Sequence, residues 1–164
     1  MPAPAKAPQF DAAQAIIRAW TINDEINRYL LDSVDESLWR ADPPGGKGRT
    51  IAAIFAHINN VRGMWLKAAA VGHVPEKLEP RTCSREDVRA ALVATGEACR
   101  ALIETSLASG GRIRSFKPDV VSFVGYLISH DSHHRGQITM LARQLGKPVS
   151  QRSMFGMWEW GNFA

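Results

Sequence analysis

Residues 120–145 read VVSFVGYLISHDSHHRGQITMLARQL, and this stretch decides the fold. Phe123, Leu127, Ile138, Leu141 and Leu145 recur at threes and fours, the period of a helix with one apolar stripe. His130 and His134 lie on the same stripe, ~40° apart on the helix surface. They therefore point into a core. His133 sits ~60° to the side and is expected at the edge. Two inward imidazoles one turn apart can bond to other helices or share one metal ion, and the spacing alone leaves both readings open. Gln137 falls ~20° from His130, placed to orient a ligand imidazole. Arg135 is expected on the surface or at an interface, and Gly136 to permit close helix packing at a cost of about 1 kcal/mol against Ala.

Three more helices precede this one. The first is expected from about Asp11 to Glu36, with Ile16, Ile17, Trp20, Ile26, Leu30 and Val34 inward and Asp11 as cap. Asp42-Pro43-Pro44-Gly45-Gly46 breaks the chain. The second follows Thr50 and reaches about Ala70, with Ile54, Ile58, Val61, Met64 and Trp65 as its inward stripe. The third starts near Ser84, which forms a capping-box pattern with Asp87, and ends at Gly110-Gly111. The fourth opens at Pro118 or Asp119 and stops at Gly146. No alternating strand pattern interrupts them. The reading is all-α: a single-domain four-helix bundle over residues 1–164, of up-and-down type, with residues 1–9 disordered. The tail, residues 151–164, holds Met154, Phe155, Met157, Trp158, Trp160 and Phe163. That apolar area is expected to fold onto the bundle or a partner subunit, or to cover a pocket.

His57 lies beside the inward stripe of the second helix. If the second and fourth helices are neighbours, His57, His130 and His134 can converge. Three neutral imidazoles leave a coordination position open, as catalytic rather than structural metal sites do. Zn²⁺ or Ni²⁺ is the leading ion, with Fe²⁺ and Mn²⁺ as alternatives. Protons are expected to compete for these ligands below about pH 6.5. His73, in the Gly72–Pro80 connector, is not expected to bind metal. Cys83 and Cys99 read as small buried or half-buried residues.

The string His130-Asp131-Ser132-His133-His134-Arg135-Gly136-Gln137, with Leu145-Gly146-Lys147-Pro148 after it and Ile54-Phe55-Ala56-His57-Ile58 before, resembles the DinB/YfiT-like family of metalloenzymes over about residues 10–150. The resemblance implies a four-helix bundle with one divalent ion on His57, His130 and His134, often in a homodimer. Some relatives are transferases or isomerases that use a low-molecular-weight thiol.

Composition narrows the remaining classes. The 164 residues are 45% hydrophobic and 22% charged, the balance of a globular domain. The net charge of +4 comes from scattered Arg; the densest basic run, Arg112 to Lys117, holds three cations, too few for a nucleic-acid surface. Gly45-Gly46-Lys47-Gly48-Arg49-Thr50 lacks the order of a phosphate-binding loop. The longest near-apolar stretch, Val120 to Ile128, is too short to span a membrane, and no secretory leader is seen, so a cytoplasmic location is expected. Two functions fit. One is a metal-dependent transferase or hydrolase acting on a small molecule, its catalytic residues unknown, with Asp24, Glu25 or Glu104 as sources of a base. The other is a non-enzymatic, metal-stabilised helical module for dimerisation or protein binding. The second draws on the aromatic tail and on Val121, Val124 and Ile128, which form a second apolar face of the fourth helix.

Overall fold

The structure is a computed structural model that describes residues 9–163. The expectation of disorder for residues 1–8 lies outside the described residues. Four long helices form: α1 (Ala12–Ser33), α2 (Ile51–Ala68), α3 (Arg85–Ala108) and α4 (Val120–Gln144). Each opens on a side chain that accepts a hydrogen bond from an otherwise unpaired first-turn N–H: Asp11, Thr50, Ser84 and Asp119. Ser84 and Asp87 complete a reciprocal capping box. Among the described residues there is no strand, and no helix is long and apolar enough to cross a membrane.

The core divides into two apolar ends. One gathers Leu30, Leu31, Ile51, Phe55, Val88, Leu92, Ile138 and Leu141; the other gathers Ile17, Trp20, Leu66, Ile103, Phe123 and Leu127. The first end therefore holds the C-terminal halves of α1 and α4 and the N-terminal halves of α2 and α3. So α1 runs parallel to α4, and α2 parallel to α3. α1 packs on α3 and α4, and α2 packs on the same two. This corrects the expected up-and-down connectivity: the order is up-down-down-up, with α1 and α2 across a diagonal. The connector 69–84 makes it possible. Val71 and Val74 pack at one end of the core and Leu78 at the other, so the chain retraces α2 before starting α3. Asn60 fixes its path by accepting from Leu78 N and donating to Leu78 O, both at 2.9 Å.

A polar layer separates the two ends. Arg62 of α2 is fully buried and donates to Asp24 of α1 at 2.5 Å and to Asp131 of α4 at 2.7 Å. Asn23 and Asn27 each donate to Asp131 at 2.8 Å. On α2 the inward position is thus Arg62, whereas Met64, expected inside, is 52% exposed. α3 joins through its backbone, where Gly96 O accepts from Trp20 Nε1 at 3.0 Å. A Cβ on Gly96 would meet the Asp24 carboxylate at 2.5–2.7 Å, so this glycine sets how closely α3 approaches α1. Gly136, expected to play that part on α4, faces open space instead.

The tail folds back as a short α5 (Gln151–Gly156) and a final turn, Trp160–Phe163. Met154 and Met157 pack against the core, and Phe163 meets Tyr29 edge-on at 5.7 Å. The second apolar face expected on α4 is mostly internal: Val124 is buried, Ile128 is partly buried and Val121 stays exposed.

Two glycine substitutions check this packing by chemical denaturation. Gly96→Ala is expected to lose about 1–3 kcal/mol, because α3 must move off the Asp24 carboxylate. Gly136→Ala is expected to gain up to about 1 kcal/mol, since nothing opposes its methyl group.

Candidate metal centre

α2 and α4 pack side by side, and this brings the three inward imidazoles together. Ring centroids lie 4.5 Å apart for His130 and His134, 4.6 Å for His57 and His134, and 5.3 Å for His57 and His130. One ring nitrogen from each lies within 4.8 Å of the others. His57 Nε2 and His130 Nε2 are 3.4 Å apart.

Hydrogen-bond partners set the tautomers. His134 Nδ1 is 2.8 Å from Gln137 Oε1, which only accepts, so the ring proton sits on Nδ1 and the Nε2 lone pair is free. Gln137 turns its amide nitrogen to His133 Nε2 at 3.0 Å. His130 Nδ1 lies 3.4 Å from Asp131 Oδ1, a long contact with an acceptor-only carboxylate, so its Nε2 lone pair is likewise the one turned toward His57. A carboxylate behind an imidazole both orients the ring and raises its basicity. His133 lies at the exposed edge of the group.

Asp131 can do this because it stays ionised. It is fully buried, which works to raise its pKa. The adjacent Arg62 guanidinium and the hydrogen bonds from His130, Arg62 and Asn23 outweigh that and hold the carboxyl well below its usual range. Burial likewise opposes the Arg62 charge, and Asp131 and Asp24 more than restore it. For His57 and His134 the surroundings favour the neutral ring instead. Burial, then Arg49, then His134 and His130 lower His57 to about 4. His134 is also lowered, chiefly by burial, with Gln137 opposing. Protons therefore compete for His57 well below the pH 6.5 expected from sequence. A half-buried cluster of three imidazoles, two of them with Nδ1 turned to an acceptor, has the donor set of a divalent transition-metal site.

The other candidates lie elsewhere. His73 is exposed in the connector. Cys83 and Cys99 are buried, and burial pushes both thiols up, Cys99 to about 12, so neither supplies a thiolate at neutral pH. Asp24, one proposed base, is committed to Arg62 and Arg28. Glu25 lies 3.8 Å from Arg28, and Glu104 pairs with Arg100 on the surface of α3. Arg135, expected outside, is half-buried on Asn23 and Asn27.

Sequence reasoning passed over Arg62, Asp131 and Arg49. The signal for the first two was present: each is a charge at helical spacing within an apolar stripe. Arg49 lies on the glycine loop, where Gly45, Gly46 and Gly48 take positive φ. With Pro43, Met140, Leu141 and Gln144 it lines an open cleft of about 500 Å³ that reaches Gln137, the partner of His134.

Bundle and donor set together define a helical protein with a tri-histidine site of the divalent-metal type. The DinB family model matches residues 9–159, and the chain belongs to the DinB family. Its fold is similar to the crystal structure of a DinB-like protein from Bacillus cereus, at 24% identity and a TM-score of 0.59, over 84% of this chain and 95% of that one. No curated protein matches the chain.

The His57 environment is checked by NMR titration of the metal-free protein. The ring is expected to stay neutral at pH 5 and to charge near about 4; an ordinary titration at 6.5 would contradict this. The unfolded chain takes up that proton from about pH 6.5 downward, so the metal-free fold is expected to lose stability as pH falls from about 6.5 toward about 4.

Proposed function

We propose that this DinB-family protein is a metal-dependent enzyme in which His57, His130 and His134 hold one divalent ion, Zn²⁺ or Ni²⁺ before Fe²⁺ or Mn²⁺. The observation that carries the proposal is the convergence of three ring nitrogens within 4.8 Å. When bound, the ion supplies Lewis-acid polarisation of a substrate oxygen or sulfur.

The chain's own residues shape the rest. Asp131 and Gln137 hold two of the imidazoles in one tautomer, so little reorganisation is needed on binding. The cleft beside Gln137 admits a small molecule, and Arg49 at its wall attracts an anionic group. Asp131, the carboxylate behind the triad, is held ionised by Arg62 and is not free to take a proton from water. That favours a nucleophile that ionises readily by itself, a low-molecular-weight thiol, and hence thiol transfer over hydrolysis. The non-enzymatic reading and a homodimer draw support from Val121 and Met140, more than half exposed on α4. Sedimentation at the mass of two chains would support the dimer.

Calorimetric titration of metal-free protein, prepared without an affinity tag, tests the site. One Zn²⁺ or Ni²⁺ per chain is expected. His57→Ala, His130→Ala or His134→Ala should weaken it by roughly 100-fold or more and Asp131→Asn by roughly 10–100-fold, with His73→Ala neutral. Stoichiometric tight binding by the His130→Ala, His134→Ala double variant would refute the assignment. Turnover of a small thiol with an electrophilic aryl halide by the loaded protein then separates enzyme from structural module.

A further inference from the structure

The opposite face of α4 borders a second cavity, of about 200 Å³, between α1, α4 and the C-terminal tail. Ser132, Arg135, Gly136 and Thr139 line it from α4, ~100–160° around the helix from His134. Met154, Met157, Trp158 and Trp160 line it from the tail and leave it open to solvent on one side.

Three features give this cavity a chemistry. The first is Arg135. Its Nη1 donates to Asn23 Oδ1 at 2.9 Å and Asn27 Oδ1 at 2.7 Å, and its Nη2 to Ser132 Oγ at 2.7 Å. All three acceptors are neutral. Arg28 and Arg62 in the same layer both touch carboxylates, whereas Arg135 has none within 4.0 Å among the described residues. Those bonds use three of its five N–H groups and leave Nε–H and one Nη2 hydrogen. The second is Gly136. A glycine inside a helix costs about 1 kcal/mol, and here, its own helix backbone and chain neighbours aside, no protein atom lies within 4 Å of where its Cβ would be. The space its missing side chain leaves opens on the cavity. The third is the wall of thioethers and indoles. Trp158 is 78% exposed, an apolar surface with no protein partner on one side.

We propose that this cavity binds a small organic carboxylate bearing an apolar group, an arylalkyl or branched alkyl acid. The carboxylate pairs with the spare N–H groups of Arg135, and the apolar group lies over Gly136 between Met154, Met157 and Trp158. The site is separate from the histidine triad and does not depend on its metal. Its volume suits a ligand of about ten heavy atoms, below drug size. A guanidinium with spare N–H donors suits a carboxylate, and Arg135 has no carboxylate in direct contact, Asp131 acting on it only from beyond ion-pair distance, so an added anion has a cation to pair with. The same Asn23 and Asn27 that hold Arg135 also donate to Asp131, so this cavity and His130 share one hydrogen-bond layer.

The test is calorimetric titration of the full metal-free chain with sodium phenylacetate, with 2-phenylethanol and 2-phenylethylamine as charge controls. One saturable site with a Kd below about 1 mM is expected, a modest demand for ten heavy atoms. The alcohol and the amine should each bind at least tenfold more weakly. Gly136→Leu puts a side chain into the cavity from a position where nothing opposes it. It should keep or raise the thermal midpoint and weaken phenylacetate at least tenfold. Trp158→Ala removes an exposed ring, so it should fold normally and weaken binding several-fold. His57→Ala should leave binding unchanged. No saturable heat at 10 mM phenylacetate, equal binding of the amine, or wild-type affinity in both Gly136→Leu and Trp158→Ala would overturn the proposal. Loss of binding in His57→Ala would place the acid at the triad instead and overturn it equally.

Discussion

Arg62 lies fully buried between two carboxylates, Asp24 on α1 and Asp131 on α4, and the rest of the molecule is arranged around it. Such a cluster is a poor source of stability. Desolvating the charges costs several kcal/mol per ion, and apolar residues of similar volume often serve as well or better. Removing one partner is far more damaging, because an unpaired charge remains in the core. What the cluster provides is position. It ties α1, α2 and α4 at one level, while α3 is drawn in by Trp20 bonding to Gly96. An apolar core tolerates small slides of one helix past another; a bidentate cation between two fixed carboxylates does not.

The same ion cluster reaches the histidines. Asp131 is adjacent in sequence to His130 and turns one oxygen to Arg62 and the asparagines, the other to His130 Nδ1. Without Arg62 the buried carboxyl would take up a proton and could no longer hold the ring in that tautomer. Asn23 and Asn27 extend the layer to Arg135 by presenting amide nitrogens to Asp131 and carbonyl oxygens to Arg135. One turn of α4 thus carries a face of imidazole nitrogens toward α2 and a cationic face toward α1.

Much of this was legible in the sequence. Helix ends follow from local chemistry, and Asp11, Thr50, Ser84 and Asp119 act as the caps their types suggest. The triad was legible because helical periodicity fixes which way His57, His130 and His134 face before any tertiary contact is known. Connectivity was not, since matched helices with long linkers satisfy several topologies, and only the return of residues 71–78 along α2 selects one. Buried charge was the other blind spot. Periodicity scored Met64 as inward and passed over Arg62, because hydrophobicity cannot register that a carboxylate waits on the next helix. Arg135 was misplaced for the same reason, its partners lying more than a hundred residues away. Gly136 looked like a packing device because helical glycines often are, and only the surrounding space shows that it is not.

X-ray absorption at the zinc edge, on protein loaded with one Zn²⁺ per chain, tests the central claim most directly. Three imidazole nitrogens at about 2.0–2.1 Å and no sulfur are expected, together with loss of the imidazole scattering pattern in the His130→Ala, His134→Ala double variant. A thiolate at about 2.3 Å, or a shell of oxygens with fewer than three imidazoles, would contradict the assignment of His57, His130 and His134 as the site.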